Sequence, residues 1–279
     1  MDTFVEKLSG TRRLLLPAAL VLLTVLLSGT AVFGRGDPFP RAAAAYLVQV
    51  DGSILWSREP ARRLPPASLA KLMTALLALE RLSPGAEVAV SAAAARETGT
   101  RLGLREKERF RAGDLLAAML VASANDACRA LADALAPEAR FTAMMNERAR
   151  QWGMHDSHFT NGCGHDDGGT YSSAADLAIL ADHALAHPAI RGLAALPGLA
   201  IVSAGGRTVS FTNTNALIGR FPGITGLKTG FTPQAGKCLI ASAEREGRRV
   251  LLVMLDAANR WWDAEDILRL ALAHGALPE

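Results

Sequence analysis

The chain has 279 residues, half of them apolar and a fifth charged, with a formal net charge of +3. That length supports one large domain or two small ones with a sizeable core, and the composition excludes a disordered chain. The mild positive balance, with no basic stripe carrying interleaved aromatics, gives no support to nucleic-acid binding.

The N-terminus carries Lys7, Arg12 and Arg13, then an apolar run from Leu14 to Leu27, then the small residues Ser28, Gly29, Thr30 and Ala31. Basic start, apolar middle and small-residue exit are the layout of an export segment. The run is shorter than the ~20 residues of a membrane span, but extended to Gly34 it would reach that length. A cleaved signal and a retained anchor are both open, and in either case Arg12 and Arg13 stay on the cytoplasmic side. Gly34–Arg41, with two Gly and two Pro, reads as a linker. Residues 1–40 are therefore expected to be a signal peptide or N-terminal anchor with its linker, and 41–279 a single domain.

Ala42–Val50 and Ser53–Trp56 flank Asp51-Gly52, a strong hairpin signal. After Pro65-Pro66, the residues Leu69, Leu72, Met73, Leu76 and Leu77 recur at helical steps. Ala112–Val121, Asn125–Leu135, Pro137–Trp152 and Ser173–His187 continue that period, separated by loops such as Asn161–Gly169. Beyond Leu196 the pattern turns to strands. Ile201–Ser203 and Thr208–Phe211 flank one turn, and Cys238–Ala243 and Val250–Leu255 flank another. Trp261–His274 closes as a helix. The expected fold is α+β: one antiparallel sheet built from both ends of the chain, covered by the terminal helix, with a helical lobe over about residues 67–195 and a cleft between.

Cys128, Cys163 and Cys238 form no C-x-x-C pair, so a cysteine zinc site has no support. An odd number in an exported chain leaves at least one thiol free. All three are expected to be unpaired and to pack as small hydrophobes. His165, Asp166 and Asp167 read as a solvated loop rather than a metal site.

Three short motifs carry chemistry. Ser68-Leu69-Ala70-Lys71 opens a helix, and residues three apart on a helix have Cβ atoms roughly 5–6 Å apart. Lys71 can therefore reach the Ser68 hydroxyl, and a serine becomes a good nucleophile once a base takes its proton. Lysine is such a base only if burial or a neighbouring cation lowers its pKa. Ser123-Ala124-Asn125 lies at a break between two apolar helices; it suits helix capping, or a proton relay from Ser123 to Lys71 with the Asn125 amide on a peptide substrate. Lys228-Thr229-Gly230 stands before the Cys238–Ala243 strand, where Lys228 and Thr229 suit a carboxylate and Gly230 a close backbone approach. Each triplet alone is common. All three in this order are the set found in penicillin-binding enzymes and β-lactamases.

The chain resembles the low-molecular-mass penicillin-binding proteins, the serine-type D-alanyl-D-alanine carboxypeptidases. The resemblance covers about Ala44 to Ala271 and rests on Pro66–Ala75, Ser123–Cys128, Tyr171–Asp176, and Asn213–Asn215 followed by Gly226–Thr232. It implies the penicillin-binding and β-lactamase-like transpeptidase fold. It implies a nucleophile at Ser68, a general base at Lys71, and Ser123 and Asn125 in the second motif. Substrate binding falls to Lys228, Thr229, Gly230 and Phe231, with an oxyanion hole from the backbone N–H groups of Ser68 and Phe231. The implied substrate is the D-Ala-D-Ala end of a peptidoglycan stem peptide, outside the cytoplasm. β-Lactams are implied as covalent inhibitors, with no metal or cofactor and with membrane contact only through an uncleaved N-terminal segment. Cys128 falls in the second block as a packing residue.

Two features depart from the family pattern. Cys163 stands where many members carry a His, with His165 two residues on. The chain also ends at Glu279, with no C-terminal β domain expected, which keeps a D,D-endopeptidase acting on crosslinks open as an alternative. A β-lactamase is less favoured because no Glu-x-x-Leu-Asn segment occurs in the helical middle. A silent wall-binding protein is disfavoured by three intact motifs.

Overall fold

The computed structural model describes residues 37–274. The expected export segment lies outside the described residues, apart from the last part of its linker. Among the described residues, no helix is long and apolar enough to cross a membrane.

A five-stranded antiparallel sheet forms the spine. Strands β1 (Ala43–Val50) and β2 (Ser53–Arg58) are joined by Asp51-Gly52, both with positive φ (51° and 84°) as a two-residue hairpin turn requires. Later in the chain come β7 (Ile224–Thr232), β8 (Gly236–Arg245) and β9 (Arg248–Ala257), and the spatial order is β2-β1-β9-β8-β7. The first hairpin thus pairs with the last strand, as a sheet built from both chain ends demands. β9 is buried on both faces. Leu252 and Met254 pack on one side with Ile267 and Leu268 of the closing helix α8 (Arg260–Ala273). Leu251, Val253 and Leu255 join the larger core on the other side. That two-sided burial is why β9 reads as a continuous apolar run rather than an alternating one.

The helical lobe contains α1 (Lys71–Arg81), the short α2 (Ala92–Ala95), α3 (Ala112–Val121), α4 (Asn125–Leu135), α5 (Glu138–Gln151), α6 (Ala174–Ala186) and α7 (Pro188–Ala194). Two small hairpins, β3–β4 (Glu87–Ala89 with Arg109–Arg111) and β5–β6 (Gly198–Val202 with Thr208–Thr212), attach to it. The fully buried Ser173 caps α6 by accepting from the Asp176 N–H at 3.1 Å. His187 caps α7, whose first residue is Pro188.

The structure corrects three expectations. Lys228-Thr229-Gly230 precedes the Cys238–Ala243 strand as expected but lies in a strand of its own, β7, which was not expected; Gly226 and Gly230 break the apolar pattern that would mark a strand. Ser68 sits in a 3₁₀ turn, Ala67–Ala70, and α1 begins only at Lys71. Finally, Cys128 and Cys163 are not free thiols. They form a disulfide, with Cα atoms 6.0 Å apart, and only Cys238 remains unpaired and buried. The two are 35 residues apart in sequence. Only the folding of the loop after α5 back over the first turn of α4 makes them neighbours.

Candidate active site

Ser68 is delivered by a sharp local conformation. Ala67 adopts φ 49°, a left-handed value that costs a non-glycine residue energy and is found at sites held by their surroundings. The turn that follows closes through a Leu69 N–H to Pro66 carbonyl bond of 3.2 Å. The next turn brings Lys71 onto the same face.

Lys71 is fully buried, and its Nζ has three partners: Ser68 Oγ at 2.8 Å, Asn125 Oδ1 at 2.7 Å and the Cys163 carbonyl at 2.6 Å. Burial pulls its pKa from 10.5 to about 7, with the negative charge of Glu97 opposing the shift. A useful fraction of the amine is therefore neutral near neutral pH, as a base for Ser68 must be.

Between α3 and α4, Ser123 has φ 59°, again left-handed. This turns its hydroxyl toward β7, where it accepts from Lys228 Nζ at 2.8 Å. The second motif is thus wired to the third through Ser123, and to the first through Asn125. The Asn125 Nδ2 donates to the Thr98 carbonyl at 2.6 Å, so both ends of the amide are engaged within the protein rather than left for substrate.

Lys228 is 1% exposed and donates also to the Thr229 carbonyl at 2.9 Å. Its pKa is held well below the usual lysine value by burial first, then by repulsion from Lys71 and Arg260. Thr229 Oγ1 lies 2.7 Å from Thr214 Oγ1, and the Thr214 N–H donates to Val121 at the end of α3. Phe231 projects outward, 63% exposed. β7 is the outermost strand of the sheet, so its free side offers backbone groups to an extended peptide.

All of Ser68, Lys71, Ser123, Asn125, Lys228, Thr229 and Gly230 converge here. Sequence reasoning missed four contributors. Arg260, at the start of α8, donates through Nη1 to the carbonyls of Gly230 (2.7 Å) and Cys238 (2.9 Å), pinning the two strands beside the site. Glu97 supplies the negative charge near Lys71 and pairs with His165 at 2.9 Å. Cys163 contributes its carbonyl to Lys71. Buried Asp126 accepts N–H bonds from Leu102 and Leu104, holding the loop that supplies Thr98. Among these, Asp126 following Asn125, and Cys163 at the position where many family members carry a His, were the visible signals. The Asp166 and Asp167 loop is structured: Asp166 accepts from Thr232 Oγ1 at 2.6 Å, and Asp167 from Asn161 Nδ2 at 2.6 Å. Among the described residues, no cluster suited to a metal occurs.

A serine whose hydroxyl faces a buried, part-neutral lysine, beside an edge strand carrying a second lysine, defines an active-serine acyl-transfer enzyme of the penicillin-binding fold. The D-alanyl-D-alanine carboxypeptidase family, peptidase S11, matches residues 36–259. The chain belongs to this family and is a serine-type peptidase. It is 33% identical over 225 residues to the D-alanyl-D-alanine carboxypeptidase DacF of Bacillus subtilis, a match spanning 78% of this chain but 58% of that protein. It is 31% identical over 232 residues to a D-alanyl-D-alanine endopeptidase of Pseudomonas aeruginosa, covering 80% of this chain and 73% of that one. Among solved structures, penicillin-binding protein D2 of Listeria monocytogenes in its ampicillin-bound form matches with TM-score 0.75 and 32% identity, covering 85% of this chain and 100% of that chain.

Proposed function

We propose that this protein removes the terminal D-alanine from peptidoglycan stem peptides through an acyl-enzyme on Ser68. The observation that carries the reading is the 2.8 Å contact between Ser68 Oγ and the buried Lys71 amine. In this mechanism the neutral Lys71 amine takes the Ser68 proton as Oγ attacks the penultimate D-alanine carbonyl. The N–H groups of Ser68 and Phe231 receive the oxyanion, donors that typically contribute about 3 kcal/mol each. Lys228 and Thr229 hold the terminal carboxylate. The tetrahedral centre collapses, the C–N bond breaks, and the departing amine takes the proton that Lys71 had accepted, passed on through Ser123, whose hydroxyl the Lys228 hydrogen bond orients, which leaves Lys71 neutral. Water then attacks the ester, Lys71 accepts its proton, and Ser68 is regenerated.

β-Lactams would acylate the same serine, a reading supported by the ampicillin-bound Listeria relative. The substrate lies outside the cytoplasm, and the basic, apolar, small-residue order of the N-terminus supports export with the catalytic domain beyond the membrane.

The decisive experiment is labelling with a fluorescent penicillin, wild type against Ser68→Ala. Absence of Ser68-dependent label would sink the proposal. Cleavage of crosslinks is the second reading, supported by the similarity to the Pseudomonas endopeptidase. Digesting pentapeptide and crosslinked muropeptides side by side separates the two, because a carboxypeptidase releases free D-alanine from the pentapeptide.

A further inference from the structure

The disulfide joins two segments that the three motifs do not connect. Cys128 lies in the first turn of α4, three residues after Asn125, and Cys163 lies in the loop between α5 and α6. Both are buried. Each segment supplies one acceptor to Lys71 Nζ, Asn125 Oδ1 from α4 and the Cys163 carbonyl from the loop.

A neutral amine has two N–H donors and one lone pair. When two carbonyl oxygens take both N–H groups, the lone pair is left for the third partner, and that partner is the Ser68 hydroxyl. This is the direction in which the proton must move. If either acceptor drifts, the amine can rotate and donate to Ser68 Oγ instead, which opposes the transfer.

Much of the loop's order is local or runs elsewhere. Asn161 Oδ1 accepts from the N–H groups of Cys163 (3.1 Å), Gly164 (2.7 Å) and His165 (3.0 Å). Thr74 of α1 donates to the Gly162 carbonyl at 2.6 Å. Gly164 packs so closely on the Ala67 carbonyl that no Cβ would fit. Among the described residues, no nitrogen–oxygen hydrogen bond ties Asn161–Gly164 directly to α4. Apart from packing, the direct tie is the disulfide; the indirect routes run through Lys71 itself and through His165, Glu97 and the Thr98 carbonyl that holds Asn125.

We infer that the Cys128–Cys163 disulfide is a positioning element for catalysis: it clamps together the two acceptors that aim the Lys71 lone pair at Ser68. This deepens the proposed function and rests on Lys71 being the base. The charged groups around Lys71 that share in any pH effect are Lys228 of β7 and Glu97 on the segment before β4. Behind them stand Arg260 of α8 beside Lys228, and His165 and Arg129 of α4 beside Glu97.

The full chain is compared oxidised and after treatment with dithiothreitol, which leaves two thiols and an oxidised dithiol. A Cys128→Ala/Cys163→Ala double variant is measured alongside. Alkylation under denaturing, non-reducing conditions should label Cys238 alone, and all three cysteines after reduction. Acylation by fluorescent penicillin is followed by stopped flow well below the unfolding temperature, across pH. Reduction is expected to lower the acylation rate constant on the order of tenfold to a hundredfold, the scale of a small misplacement of a reacting group. The constant for initial penicillin binding should change little, and the rise of the acylation rate with pH should move to higher pH as water reaches Lys71. Reoxidation should restore the rate, and the double variant should be slow and indifferent to reductant. Where the double variant does not fold, reduction and reoxidation of the wild type decide alone.

A folded, reduced enzyme with an unchanged rate and pH profile, alongside an inactive Lys71→Ala, overturns the inference while leaving the base intact. Alkylation of all three cysteines without reductant overturns it as well. Full acylation by Lys71→Ala would instead remove the base reading on which it stands.

Discussion

A Cβ atom on Gly230 would lie 3.2 Å from the backbone nitrogen of Ser68, 3.1 Å from Ala67 Cβ and 3.0 Å from the Pro66 carbonyl. The glycine of the third motif is thus needed for the enzyme's own strand to close on the segment carrying the nucleophile. That packing sets the separation of the Ser68 and Phe231 N–H groups. Gly230→Ala must push β7 away by a few tenths of an ångström, with the Arg260 bond to its carbonyl resisting. The expected result is a protein that folds but acylates more slowly by on the order of a hundredfold, the scale of losing one oxyanion donor. Stopped-flow penicillin labelling with a circular dichroism control checks it.

The Lys71 pKa of about 7 sets a pH profile. The base must be unprotonated, so the acylation rate constant should rise as pH passes upward through about 7 and level off above. Lys71→Ala should lose this limb and most of the rate, roughly 10²–10⁴-fold for a general base. Persistence of the same limb in Lys71→Ala would assign it to another group.

Lys228 points to a different step. Its hydrogen bonds run to Ser123 and the Thr229 carbonyl, and its proposed partner is a substrate carboxylate. Charged hydrogen bonds contribute about 1.5–3 kcal/mol, roughly 10- to 150-fold in binding. Lys228→Ala should therefore weaken penicillin binding by that factor. An analogue whose carboxylate is esterified should bind wild type and variant alike.

Asp126 is 1% exposed, and its carboxylate receives N–H bonds from Leu102, Leu104 and Ala127. Asp126→Ala leaves buried donors unpaired and should cost roughly 3 kcal/mol in urea unfolding. The released loop carries Thr98 and Thr100, whose carbonyls accept from Asn125, so acylation should fall too, by less than in Ser68→Ala.

Much of this architecture was legible in the sequence, for local reasons. The Asp51-Gly52 turn demanded positive φ, and the apolar steps of α3, α4 and α6 demanded helices with one face in a core. The Ser68–Lys71 pair was expected from helical spacing, and the contact exists, although a 3₁₀ turn rather than α1 carries Ser68. Strand β7 was not legible, because the glycines that let it fit against Pro66–Ser68 erase the pattern by which strands are recognised. β3 and β4, at three residues each, are too short to carry a period.

The order Ser68–Lys71, Ser123–Asn125, Lys228–Gly230 was enough to point to the family and its acyl-transfer chemistry, because the set as a whole, and no one triplet, is the pattern by which that family is recognised. What the tertiary structure alone decided is how each is tuned and aimed. The lowered pKa of Lys71 comes from burial, and burial belongs to the packed lobe rather than to the residue. The Cys128–Cys163 bond, the Cys163 carbonyl on Lys71 and the Arg260 bonds to β7 all join segments far apart in the chain. No local pattern encodes such pairings; they exist only when the chain has closed on itself.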